Sequence, residues 1–193
     1  AGFAKRLAAI DPRGWPIPQQ VDYYIVRAEM NGLDFDHRVL KPWTNNPAFY
    51  ATVHGDESDQ PAREGPLAVG GVELWKYRLP LSPTDAVEIT AGLQPIPKLL
   101  EPAKTNLTGN QKDLWTHGVK AIKAQSTELT AFAGKIGDTQ PDLNAAVGKA
   151  RAATDALATW LESQAAGKTA PAGIGVENYN WYLTNVQLVP YTW

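Results

Sequence analysis

Proline placement constrains this chain more than any other feature. The 193-residue sequence holds fifteen prolines, yet none falls between Pro102 and Pro141 and none between Pro141 and Pro171. A proline inside a helix removes a hydrogen bond and clashes with the preceding turn, at a cost of about 3 kcal/mol. The two proline-free stretches are therefore where long helices fit, and their contents agree. Trp115, Val119, Ile122, Ser126, Leu129, Ala133 and Ile136 recur at steps of four and three, as do Leu143, Val147, Ala150, Thr154, Leu157 and Leu161. That is the spacing of one helix face. Between the stretches, "GDTQPD" supplies Gly137 as a stop and Pro141 as a first-turn residue. The pattern predicts an antiparallel helical hairpin with arms of about 20 to 25 residues, roughly 30 to 38 Å long. Ala146, Ala150, Ala153 and Ala156 on the second arm predict a close approach of the two.

The flanks read as shorter helices. In "LSPTDAVEITAGL", Ser82 suits an N-cap, Pro83 the first helical position and Asp85 the first turn. A short helix follows through "IPKLLEPAKTNL". Near the beginning, "PQQVDYYIVRAEMNGLDF" places Val21, Tyr24, Ile25 and Ala28 on one face, with Gly32 closing the helix, and "LDFDHRVLKPW" adds a turn or two up to Pro42. From Asn45 to Gly71, turn-forming residues without a sustained period predict a long surface loop. "VELWKYRLPL" then reads as extended chain. The expected fold class is all-α: an elongated helical array built on a long antiparallel hairpin, with a long irregular loop near 45–71. Residues 1–193 form a single helical region in this reading.

Composition excludes several functions. The formal net charge of −2 leaves no broad basic field for nucleic acid or anionic lipid. No segment reaches the run of about 18 apolar residues that a membrane-spanning helix requires. Cysteine is absent, which removes disulfides, thiolate metal sites and cysteine nucleophiles from this segment. "AGFAKRLAAID" lacks the apolar stretch of a signal peptide.

Candidate chemistry is sparse. His37, His54 and His117 are the only histidines, separated by 17 and 63 residues, and no HExxH occurs. A zinc site needs several ligands converging on one metal, so these histidines read as rim or hydrogen-bonded packing residues, with His54 in a loop. "GDESD" (residues 55–59) lacks the ligand order of a calcium loop and reads as a solvated acidic turn. Glu29, Asp34 and Asp36 could assemble an acid–base pair, but also read as helix-end charge with Arg38 as a partner. No G-x-S-x-G or S-x-x-K element is present, and "GKT" at Gly167 lacks the preceding glycine of a phosphate loop. The seven tryptophans could stack on sugar or peptide groups, though packing is the commoner use of large aromatics.

The last nineteen residues, "GVENYNWYLTNVQLVPYTW", are dense in aromatics. Tyr179, Tyr182 and Val186 share a helical face, with Leu183 beside them, and the helix is expected to stop before Pro190. Thr192 suits the cap of a following helix, and Tyr191 the staple that precedes such a cap. This predicts that the intact protein continues beyond Trp193.

"WPIPQQVDYYIVRAEMNGLDFDHRVLKPWTNNPAFY", "LPLSPTDA", "NLTGNQKDLW", "ATDALATWLE" and "GIGVENYNWYLTNVQLVPYTW" resemble, in that order, the amino-terminal third of a large bacterial group. This is domain-of-unknown-function family eight hundred and eighty-five. The resemblance covers essentially the whole chain and is most specific in its last stretch. Members are long, largely helical, often carry an export signal, and are viewed as relatives of HExxH zinc peptidases of the gluzincin type. The resemblance implies that this chain is the N-terminal helical scaffold portion of a zinc-metallopeptidase-like hydrolase. Its two zinc-ligand histidines and general-base glutamate would lie far downstream, so no catalytic or metal residue is assigned here. Zinc, a peptide-like substrate, an extracytoplasmic location and the missing C-terminal part as first partner are likewise what the resemblance implies. Tyr179, Trp181 and Tyr182, close to Gly173 and Gly175, are the substrate-binding candidates, lining a channel. The alternative is a self-contained helical ligand-binding or interaction module without enzymatic activity, using the 45–71 loop and the tryptophans. An apolar face left exposed would also favour a homo-oligomer.

Overall fold

A computed structural model describes residues 2–57, 71–138 and 140–193. In chain order the helices are α1 (Gly2–Ala8), α2 (Ile17–Phe35), α3 (Pro42–Asn45), α4 (Pro83–Leu93), α5 (Ile96–Leu100), α6 (Ala103–Asn106), α7 (Lys112–Ile136), α8 (Pro141–Ala165) and α9 (Val176–Asn185). Two short strands, β1 (Val53–His54) and β2 (Val72–Glu73), pair in parallel with Val53 opposite Val72. The protein is mostly all-α. By its contacts the chain divides into two compact units, Pro42–Ala172 and Ala1–Lys41 with Gly173–Trp193.

The central unit is built on the α7–α8 hairpin, whose arms of 25 residues each match the proline-free stretches. Gly137 ends α7 at φ +60, a conformation that glycine adopts without strain, and Pro141 opens α8. Asn144, in the first turn of α8, donates from its side chain to the Gly137 carbonyl at 2.7 Å and so satisfies a group at the end of α7. The buried stripe of α8 is Leu143, Ala146, Val147, Ala150, Thr154, Leu157, Ala158 and Leu161. On α7 the stripe sits slightly rotated from its expected position. Gly118, Gln125 and Phe132 are buried with Trp115, Ile122, Leu129 and Ile136, whereas Val119, Ser126 and Ala133 lie at its margin. The rotation follows from what α7 meets. Gly118 faces Pro47, so close that a side chain there would overlap the proline ring, and Gln125 reaches the backbone of Thr52 and Val53.

The stretch expected to be a surface loop begins buried. Pro47–Tyr50 forms a 3-10 turn capped by the Asn46 side chain, Tyr50, Thr52 and Val53 are buried, and β1 follows. His54 therefore lies in a strand, not a loop. Residues 58–70 of that expected loop, with Ser58 and Asp59 of the acidic turn, lie outside the described residues. The segment read as lone extended chain pairs through Val72–Glu73 and then makes a 3-10 turn, Leu74–Lys76. α4 starts as its sequence predicts: the Ser82 side chain accepts from Asp85 N and the Asp85 carboxylate accepts from Ser82 N, a reciprocal capping box.

In the other unit, α2 buries Tyr23, Ala28 and Phe35, so that of the expected face only Ala28 is buried. Val21, Tyr24 and Ile25 are about half exposed, because α2 carries apolar residues on more than one side and its contacts select a different one. The Tyr23 hydroxyl donates to the Leu7 carbonyl of α1 at 3.1 Å, and its ring meets Trp15 edge-on. Gly32 does not close the helix. Its missing side chain admits Val186, whose Cγ1 lies 3.3 Å from where a Cβ would stand. Beside it, Asn31 Nδ2 donates to the Asn185 carbonyl at 2.9 Å. A π-helical turn, Asp36–Leu40, continues from α2. α9 ends at Asn185, earlier than the expected stop before Pro190.

Candidate functional site

A wide concavity of the described residues belongs to the central unit. It is an open groove of about 950 Å³ along α4 and the start of α8. Ala86, Ala91, Ala145 and Ala146 keep it wide, because small side chains project little from either helix. Val87, exposed on α4, gives it an apolar wall, and Asp142 and Lys149 put one charge of each sign on the α8 side. Thr90 also lines the groove, but its hydroxyl is already committed to the Ala86 carbonyl at 2.6 Å. The Gln140 side-chain oxygen, at the groove's α8 end, is buried and accepts no hydrogen bond among the described residues. The lining holds neither histidine nor a carboxylate pair. It suits binding of an apolar, elongated group better than acid–base or nucleophilic chemistry.

The three substrate-binding candidates lie on α9, and the structure brings two of them together. Trp181 stacks on Phe35 with centroids 5.6 Å apart and planes 6° from parallel. The Arg38 guanidinium stands 5.1 Å from the same indole ring, and its Nε donates to Asp34 at 3.2 Å. Tyr182 meets Phe35 at 5.1 Å, and its hydroxyl accepts from Gln187 Nε2 at 2.9 Å. Tyr179 stands apart from this cluster, against Trp193 edge-on. Phe35, at 1% exposure, is the hub that the sequence reading missed. Its signal was local: it directly precedes the Asp36–His37–Arg38 run and lies three residues, under one helical turn, from the Arg38 that supplies the cation. A small cavity of about 210 Å³ between α2 and α9 is lined by Tyr24, Arg27, Asn31 and Leu188, among others, and by none of the three candidates.

Of the candidate acid–base residues, Asp34 is held by Arg38, as helix-end pairing would have it. Burial raises the pKa of Asp36, and the neighbouring His37 works against that rise. His37 and His117 are exposed, and His54 lies against Gly71. Among the described residues no group of three or more His, Asp or Glu could hold a metal ion. No helix of the described residues is long and apolar enough to cross a membrane. No family model, curated protein or solved structure matches the chain.

Proposed function

We propose that this chain is the N-terminal helical scaffold of a zinc-metallopeptidase-like hydrolase that works outside the cytoplasm on a peptide-like substrate. The supporting observation is where apolar surface stays exposed. Among the described residues, the exposed large apolar side chains concentrate in Ala1–Lys41 with Gly173–Trp193. Ile17 at 70%, Leu33 at 63% and Val26 at 51% are examples, and only Trp75, Leu79 and Val87 fall in the central unit. A concentration of exposed apolar side chains supports reading this unit as a contact surface. In this reading further helices of the same protein cover it, and Trp181 and Tyr182, fixed on Phe35, face the substrate. In this reading the zinc ligands lie in the remainder of the protein; among the described residues no group of three or more His, Asp or Glu could hold a metal ion. The reading frame downstream of Trp193 tests the proposal. Continuation into an HExxH helix, with zinc and peptidase activity in the full product, is the expected result. A frame that stops at once, or a full product without HExxH, overturns it.

A second reading, a helical ligand-binding module without enzymatic activity, is favoured by the groove along α4 and α8. There, Val87→Glu would abolish binding of an apolar ligand while leaving the helical content unchanged.

A further inference from the structure

The small cavity between α7 and the segment after β2 is neither of the sites above. It has a volume of about 130 Å³ and is lined by Trp75, Tyr77, Phe132, Glu128, Lys135 and Gly55, among others. Three aromatic residues thus converge with one carboxylate. Glu128, Phe132 and Lys135 share one face of α7, at spacings of four and three.

The Glu128 carboxylate lies against the Gly55 backbone, in space that any Cβ at residue 55 would occupy. It is half-buried and has no hydrogen-bond or ion-pair partner among the described residues. The surroundings add negative charge. The Tyr77 hydroxyl has its pKa raised by burial first, and then by Glu88, Asp85 and Glu73. The Trp75 indole already attracts a cation, since Lys76 Nζ stands 5.4 Å from its ring centroid while pairing with Glu73.

We propose that this cavity binds a small N-methylated ammonium ion, a choline-like solute. The three aromatic residues of the lining supply π surface for the cation, and Glu128 neutralises it. A carboxylate unpaired beside aromatic walls is a ready counter-charge for an organic cation, whose methyl groups pack on the rings while its charge meets the carboxylate. Methylation matters because a primary ammonium carries three donors and needs acceptors for them. The named walls offer mainly rings, with Glu128 as the one free carboxylate. A methylated ammonium needs no donated hydrogen bonds and fits such walls. Lys135 lines the same cavity with the ligand's own charge, so it opposes binding.

The test is ligand-observed saturation-transfer NMR on the full chain, with choline and with its uncharged tert-butyl isostere, in which carbon replaces nitrogen. Choline's methyl signal is expected to respond and the isostere's to stay silent. Trp75→Ala should weaken choline about tenfold or more and Glu128→Gln about fivefold, while Lys135→Ala should tighten it about threefold. Each variant is checked for unchanged circular dichroism. Trp75 is 37% exposed and Glu128→Gln preserves shape, so at least one of them leaves the fold intact. Equal response to the isostere, silence toward choline, or unchanged binding in both Trp75→Ala and Glu128→Gln overturns the proposal. Competition from phosphatidylcholine vesicles would also overturn it, by making the ligand a lipid headgroup and not a free solute.

Discussion

Replacing Gln125 by leucine should destabilise the central unit far more than a polar-to-apolar change in a helix ordinarily does. Gln125 is almost completely buried at the hairpin's centre, and its side chain ties three segments together. Its Oε1 accepts from Thr52 N at 2.6 Å and Val53 N at 3.0 Å. Its Nε2 donates to Thr154 Oγ1 at 2.9 Å, and that hydroxyl donates onward to the Ala150 carbonyl at 2.8 Å. Leucine fills similar volume but accepts nothing, so two buried backbone N–H groups lose their partner. Each such orphan costs about 1–3 kcal/mol, and the added apolar burial returns about 1 kcal/mol. The net loss is about 1–5 kcal/mol, against a total domain stability of about 5–15 kcal/mol. Thr154→Val orphans only one amide hydrogen and should cost about 1–2 kcal/mol. The double variant should cost less than the sum, because the two side chains share one hydrogen bond. Urea unfolding followed by far-ultraviolet circular dichroism reads all three. A Gln125→Leu loss under about 0.5 kcal/mol, or strict additivity in the double variant, would refute the view that this amide anchors β1 to the hairpin.

Two glycines of α7 predict opposite signs for the same substitution. Gly118→Ala drives a methyl into Pro47, whose nearest carbon would lie 2.5 Å away, and should destabilise by about 1–3 kcal/mol. Gly134→Ala meets nothing within 4 Å and should stabilise by about 0.5–1 kcal/mol through helix propensity, so thermal melts of the pair must diverge. Ser82→Ala removes one side of the α4 capping box and should cost about 1 kcal/mol in urea midpoint analysis. Asp36 has a folded pKa above its ordinary 3.8, with burial as the main cause. Between those two values the folded chain holds the extra proton, so stability falls as pH rises through that window. Asp36→Asn should therefore match the parent below pH 3.8, exceed it in stability above the raised value, and lack that part of the pH dependence when unfolding is measured across the range.

The hairpin was legible because its signals are local: proline absence, a three-and-four step and a glycine–proline corner all lie within one stretch of chain. The α4 cap was legible for the same reason. Gln125 was not, since hydropathy places a glutamine outside a core stripe and its partners lie 72 and 73 residues away. The β1–β2 pairing escaped likewise, because two residues per strand are too few to show a period of two. The face of α2 was misread for a different reason. Val21, Tyr23, Tyr24, Ile25 and Val26 put apolar groups all round the helix, and periodicity cannot choose among sides that are equally apolar. For the sites, aromatic density drew attention to Trp181 and Tyr182, but the ring that holds both, Phe35, lies far away in sequence. The groove was invisible because its width depends on the spacing of α4 and α8, which no residue pattern encodes.

The distribution of buried side chains carries one more consequence. The main core cluster, from Tyr50 through Trp115 to Leu161, draws all its members from Pro42–Ala172. The Gln125 network lies in the same unit, as does the Lys168 ammonium, 3.7 Å from the Trp115 ring centroid and donating to the Gly109 carbonyl at 2.7 Å. Among the described residues, Ala1–Lys41 with Gly173–Trp193 contributes Tyr23, Ala28, Phe35 and Pro12 as buried apolar residues. Stability follows buried apolar area and satisfied polar groups, so the central unit should fold by itself. Excised residues 42–172 are expected to keep near-ultraviolet dichroism from a fixed Trp115 and a single cooperative urea transition. Its midpoint should lie within about 1 M of the last transition of the full chain. In hydrogen exchange on the full chain, amides of α7 and α8 should be the slowest and those of α1 and α9 the fastest. If excised 42–172 keeps helical dichroism but loses the near-ultraviolet signal and binds a hydrophobic dye, its core is not self-sufficient. The inference from where the apolar residues are buried would then be wrong.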